Sequence, residues 1–217
     1  MLGYWRTHDD YQLWLKSKLI SLVPEHEAEI RFYGSLIEKV YVLNLDPLKE
    51  IVAPMYSPIG RPAHNQPELF RALVVMLHCK TQDPTKFVAV LRSSPVLTAI
   101  CGFEGQTPGV GTFYDLLARL WLADAPQKAV RVPPFFTPIP RGSKAWKVIY
   151  ARRSTVERTF KRILVDYKIE NARCRSKKRW FWQATLAALN QHLDAQVALL
   201  KPSILSEVGI KTISKAA

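Results

Sequence analysis

Apolar positions along the first 121 residues recur at helical spacing and are cut by proline and glycine, which predicts a run of short helices. Tyr11 to Leu22 and Glu25 to Val42 each carry such a stripe, with Pro24 just ahead of the second. Gly60-Arg61-Pro62 is a break. Asn65 or Gln66 then caps a helix with Pro67 and Glu68 in its first turn, running through Leu69, Leu73 and Met76 to about Cys79. Asp83-Pro84 opens a shorter helix, Phe87 to Arg92, and Pro95 starts one that stops at Gly102. Thr112-Phe113-Tyr114-Asp115 is a start signal for a last one, Phe113 to Trp121. Short helices with tight turns build helix-turn-helix modules and ordinary helical bundles alike.

The pattern stops over residues 125–152, which hold five of the fifteen prolines. Proline neither continues a helix nor donates to a sheet ladder, so this stretch reads as an extended linker with at most a short strand at Trp146 to Tyr150. Helical spacing then resumes. Val156, Phe160, Ile163 and Tyr167 form one stripe, on a helix from about Thr155 to Lys168. Trp182, Leu186, Leu189, Leu193, Val197 and Leu200 form a second, longer one. Between them runs Asn171 to Trp182, with five cations in twelve residues, and the tail after Lys201-Pro202 has little pattern. The expected fold is mainly α: a helical unit over 1–124, a proline-rich linker over 125–149 and a second helical unit over 150–217.

Composition narrows the class. Apolar runs such as Leu73 to Leu77 and Phe87 to Leu91 are five residues long, far short of the roughly 20 that span a bilayer. No basic region followed by an apolar stretch opens the chain, and Cys79, Cys101 and Cys174 form no CxxC pair, which suits a reducing compartment. The expectation is a cytoplasmic protein with no membrane partner. Charge changes the picture further. Residues 1–128 hold 13 Lys/Arg and 13 Asp/Glu; residues 129–217 hold 18 against 5, which is the whole net charge of +13. A neutral half joined to a basic half points to a polyanion, DNA above all, met by the second half.

The most specific string is Tyr150-Ala151-Arg152-Arg153-Ser154-Thr155-Val156-Glu157. Pro138-Ile139-Pro140-Arg141-Gly142-Ser143-Lys144-Ala145-Trp146 precedes it, and Ala172-Arg173-Cys174-Arg175-Ser176-Lys177-Lys178-Arg179-Trp180 follows. Upstream stand Gly60-Arg61-Pro62-Ala63-His64, Leu69-Phe70-Arg71-Ala72-Leu73, Cys101-Gly102-Phe103 and Gly111-Thr112-Phe113-Tyr114-Asp115. Together these blocks resemble the DDE transposases of bacterial insertion sequences, over residues 30–122 and 136–200. The family often has a lysine seven residues after its glutamate; here that position is Leu164, with Lys161 and Lys168 nearby.

The resemblance implies a helix-turn-helix-like first domain and a ribonuclease-H-like second one whose three carboxylates hold two divalent metals, Mg²⁺ in intact members. It makes Glu157 the third carboxylate, sets Arg153 near DNA phosphates and includes Tyr150 in the signature. No acidic residue lies between Asp124 and Glu157, and the 28 residues of 125–152 cannot supply a five-stranded sheet. The chain therefore reads as a transposase whose catalytic centre has been deleted, its ends joined near Gln127 to Phe135, leaving a helical remnant after the linker. No metal or other cofactor is expected to bind, and strand transfer is expected to be lost. Ser154 to Glu157 is also a capping box, in which the glutamate only closes its own helix.

Arg173, Arg175, Lys177, Lys178 and Arg179 repel one another unless an anion is near, since no acid intervenes between Glu170 and Asp194. Arg141, Lys144, Lys147, Arg152, Arg158, Lys161 and Arg162 extend that candidate DNA surface. Trp182 belongs to the apolar stripe, whereas Trp180 and Phe181 are open to either a core or a base-stacking role. Asp115 reads as a helix N-terminal acid and Asp124 as a loop residue. His64, His78, Cys79 and Cys101 match no zinc spacing and are expected in the core. The expected function is DNA binding in the manner of a transposase, associated with the nucleoid, with itself or a full-length transposase as a further partner. The alternatives are an inhibitory truncated partner of such a transposase, or a remnant without function.

Overall fold

The computed structural model describes residues 1–122, 147, 157–158, 161–167, 177–201 and 203–210, with backbone alone at 121–122 and 177–179. It is mainly helical: among the described residues the only β pairing is an isolated parallel bridge between Leu2 and Ala63. The linker apart from Lys147, and Val156 and Phe160 of the first C-terminal stripe, lie outside the described residues. Lys147 has helical backbone where a strand was expected; neither it nor Val148 is a proline, so the α region is open to it.

Helix α1 (His8–Phe32) is capped by Thr7, whose Oγ1 accepts from Asp10 N, with Asp9 and Asp10 complementing the dipole in its first turn. It runs through Pro24 and bends at His26 (φ −127°, ψ 23°), so the expected division at Pro24 is a kink. Proline removes one intrahelical hydrogen bond and displaces a carbonyl, which bends a helix that packing holds together on either side. The actual boundary is at Tyr33. Gly34 opens α2 (Gly34–Tyr41), and a Cβ there would lie 3.0 Å from Leu205 Cδ1. Helix α3 (Asp46–Val52) was not foreseen, although Asn44 Oδ1 accepts from Asp46 N and Pro47 sits in its first turn.

Helix α4 (Gln66–His78) is the centre of the molecule: every residue from Gln66 to Leu77 is buried. Asn65 precedes it in the left-handed region (φ 57°) and gives no side-chain cap, contrary to expectation. Instead Gln66 is engaged, accepting from Tyr56 OH and donating to His64 O. Helix α5 (Pro84–Ser93) is capped by Asp83, which accepts from Thr85 N at 2.8 Å. Helix α6 (Pro95–Cys101) is capped by Ser94, which accepts from Leu97 N at 2.9 Å, and it ends at Gly102 (φ 92°). Helix α7 (Val110–Leu122) starts earlier than expected: Thr112 N already donates to Gly109 O. Thr112 is therefore inside the helix, and Asp115 is exposed in its second turn rather than its first.

Beyond a π-turn at Arg162–Asp166, the chain forms α8 (Lys177–Leu200) and the short α9 (Ile204–Glu207). One cluster of buried apolar residues extends from Trp5 to Ile210, and α8 packs on α4, α2 and α7 within it. Leu186, Ala187 and Leu193 are buried there, with Trp182 and Leu189 half-buried beside them. The N-terminal helices are thus the partner surface of the long C-terminal stripe. Fully burying a leucine stabilises by about 1.5–3 kcal/mol, so Leu186 and Leu193 hold α8 firmly. The stripe's far end is open, with Leu199 and Leu200 exposed. No described helix is long and apolar enough to cross a membrane.

Candidate nucleic-acid interface

The position of α8 depends on a polar strut at its inner face. Lys39 of α2 is 1% exposed, and its Nζ lies 2.6 Å from Asp194 Oδ1. The same ammonium faces His78 Nδ1 at 3.1 Å and donates to Asn190 Oδ1 at 3.4 Å. Tyr167 OH donates to Asp194 Oδ2 at 2.8 Å, and Asn190, fully buried, donates to Leu186 O and Val74 O. Burial lowers the Lys39 pKa and Asp194 opposes that shift. Burial, with the Lys39 charge behind it, holds His78 down at about 4. Satisfied buried polar groups of this kind set rotation and register as well as stability.

With α8 held this way, its amino end carries the predicted cations. Lys177, Lys178 and Arg179 form the first turn, which contains no acid. They begin a helix rather than belonging to a loop between helices, a correction to the expectation. The reason is that Trp182 is already anchored, its Nε1 donating to Leu120 O at 2.8 Å, and the helix propagates back from there. Cations at a helix N-terminus add to the positive end of the macrodipole, an unfavourable placement of about 0.3–1 kcal/mol each that an anion relieves. Trp182 is a core residue as expected. Trp180 and Phe181 are not: they are 49% and 66% exposed.

Among the other predicted positions, Lys147, Glu157, Arg158, Lys161 and Arg162 are exposed. Tyr150, Arg153, Arg141, Lys144, Arg152, Arg173 and Arg175 lie outside the described residues. So do Ser154, the other half of the capping box, and Asp124. Among the described residues no three His, Cys, Asp or Glu side chains gather closely enough to hold a metal ion. Cys101 is buried, with its thiol pKa pushed up, and Cys79 is half-buried and held at about 11. Burial favours the neutral thiol in both. His78 is half-buried, whereas His64 is exposed rather than in the core, because it sits on the loop ahead of α4.

Sequence reasoning missed a second charged cluster. Arg71, central in α4, is fully buried with its guanidinium 3.5 Å from the centre of the Tyr11 ring. Its Nη1 is 3.9 Å from Glu68 Oε1, and none of its nitrogens has a hydrogen bond. Desolvation lowers the Arg71 pKa and raises that of Glu68. Arg6 lies beside them, donating to Gly102 O at 3.2 Å and to Glu104 Oε1 at 2.5 Å. Arg6, Glu68, Glu104, His64 and Tyr4 line a cleft of about 320 Å³ with charges of both signs. A mixed cleft of this kind gives a polyanion no net attraction. The only signal in the sequence was an arginine set at a core-facing position of an apolar helix.

No protein-family model, curated protein or solved structure matches this chain.

Proposed function

We propose that this is a DNA-binding protein of the insertion-sequence transposase type that no longer performs strand transfer. The observation that carries the reading is the partition of charge: the full excess of +13 follows residue 128, and its densest run, Arg173 to Arg179, leads into the first turn of α8. The signature-like string from Tyr150 to Glu157 supports the family reading. The gap without acids before Glu157 supports loss of catalysis, because a two-metal site needs several carboxylates. The basic half contacts phosphates without choosing sequence, and α7 is the element proposed to contribute register, as the second helix of a helix-turn-helix does.

Fluorescence anisotropy on a 30-base-pair duplex over a range of salt tests this. Each engaged cation releases about one counterion, with a slope near −0.9 per phosphate. Replacing Arg173, Arg175, Lys177, Lys178 and Arg179 with alanine flattens the slope by several units and weakens binding to all sequences alike. An unchanged slope in that variant contradicts the proposal.

A further inference from the structure

We infer that Trp180 and Phe181 form a stacking platform for unpaired bases, so that the DNA engaged by α8 is single-stranded or frayed at that point. This rests on the DNA-binding reading above and names the form of DNA it concerns. Aromatic side chains of this size are ordinarily among the strongest contributors to a core. Here two in succession stand 49% and 66% exposed, at the amino end of a helix whose other face is fully committed.

The helix cannot roll to bury Phe181. Trp182 lies two residues on, about 200° around the helix from Trp180, and its indole N–H is bonded to Leu120 O. One turn and more beyond, Leu186 and Leu193 fill the core and Asp194 is paired with Lys39. Rotation that covered Phe181, which lies about 180° around the helix from the buried Asn190, would expose these groups and strip the buried Lys39 of its partner. The exposure of Phe181 is therefore built into the rotation of α8, and Trp180, seven residues before the buried Ala187, stands at the flank of the buried face.

What covers them is argued from the charge beside them. Lys177 precedes Trp180 by three residues and Phe181 by four, and Lys178 precedes Phe181 by three, the spacings that make helix neighbours. From Trp180 to Leu200 the helix carries one formal charge, Asp194, and that is taken by Lys39 and Tyr167. Cations at helix-neighbour spacing from two exposed aromatic residues, followed by a stretch whose one formal charge is paired, match a strand whose phosphates meet the first turn while its bases turn onto the rings. A closed duplex presents only base edges in its grooves and hides the π-faces that stacking uses. Each stacked base strengthens binding by about 5- to 150-fold.

The test compares a labelled 20-nucleotide single strand with the corresponding 20-base-pair duplex. Proteins are the wild type, Trp180→Ala/Phe181→Ala and Trp180→Tyr/Phe181→Tyr, each checked by circular dichroism and sedimentation. The wild type binds the single strand more tightly. The alanine pair loses that preference by tenfold or more and keeps its duplex affinity and salt slope, and the tyrosine pair restores the preference. Equal wild-type affinity for the two DNAs, or an unchanged ratio in the alanine pair, overturns the inference while duplex binding stands. So does an alanine pair that turns a dimer into a monomer with the ratio intact, since the rings then meet a second copy. Failure to bind either DNA at low salt overturns this inference and the DNA-binding reading together.

Discussion

Lys39 and Asp194 come from opposite ends of the chain and meet at 2.6 Å, the first side chain buried and the second half-exposed. The pair is asymmetric, and so are the consequences of breaking it. Asp194→Ala leaves an ammonium in the core beside His78 and Asn190, and lowers stability by about 2–3 kcal/mol, less than the loss for a fully buried pair because water reaches Asp194. Lys39→Met leaves a carboxylate that is solvated and still bonded to Tyr167, and costs less. Urea unfolding of the two variants checks the order, and equal losses would show that Lys39 is not dehydrated.

His78 makes stability depend on pH. Its folded pKa is about 4 against an ordinary 6.5, from burial first and from Lys39 second, with Asp194 opposing and Lys80 adding. Above pH 6.5 the ring is neutral folded and unfolded, and the stability is fully present. Between 6.5 and 4 the unfolded chain takes up a proton that the folded one refuses, so stability falls with pH by up to about 3 kcal/mol. His8 is also lowered and adds to the slope, so the measurement is a difference. Urea midpoints from pH 8 to 4 should fall less steeply in His78→Gln than in the wild type.

Gly102 closes α6 in the left-handed region (φ 92°), and a Cβ there would lie 3.2 Å from Tyr11 Cε2 and 3.4 Å from both Arg71 Nη1 and Glu68 Cγ. Gly102→Ala therefore combines backbone strain with crowding of the buried arginine cluster, a loss of about 2–3 kcal/mol. Gly60→Ala has a positive φ and open space around it, so it carries the backbone part alone. A thermal melt in which the two variants lose equally would remove the crowding argument.

On the proposed reading, the purified protein with Mg²⁺ or Mn²⁺ neither nicks nor joins DNA. Gel assays on supercoiled plasmid check this. Nicking that vanishes in Glu157→Gln would mean that a working metal site had assembled around that residue.

The local parts of the fold were legible because their signals are chemical and short-ranged. Asp83-Pro84, Ser94-Pro95 and Gly102 each satisfy or terminate a helix end by themselves, and those three boundaries agree with expectation. Pro24 misled because packing on both sides of it outweighs one lost hydrogen bond. The division at Tyr33 and Gly34 answers to Leu205, far along the chain, which no local pattern announces. The cations at 177–179 looked like a loop because a run of charges holds no apolar residue to show helical spacing; their backbone follows Trp182, whose anchor is Leu120. Arg71 was equally hidden: Glu68 stands three residues ahead of it on the same helix, but the Tyr11 ring that covers the guanidinium is brought there only by the fold.

Helix α4 is finished about a hundred residues before α8 begins, yet Val74 and His78 of α4 rest against a network that α8 completes. On a ribosome adding 5–20 residues per second, that interval is roughly 5–20 s. Throughout it α4, buried from Gln66 to Leu77 in the finished fold, lacks a neighbour that covers it, and α2 lacks the carboxylate for Lys39. A message cut short anywhere between the codons for Leu122 and Lys177 would yield a polypeptide with an open core, a substrate for chaperones and proteases. The order of synthesis thus leaves closure of the core to the last helices, since α8 and then α9, with Ile204 and Leu205 buried, must both be made before the core is complete.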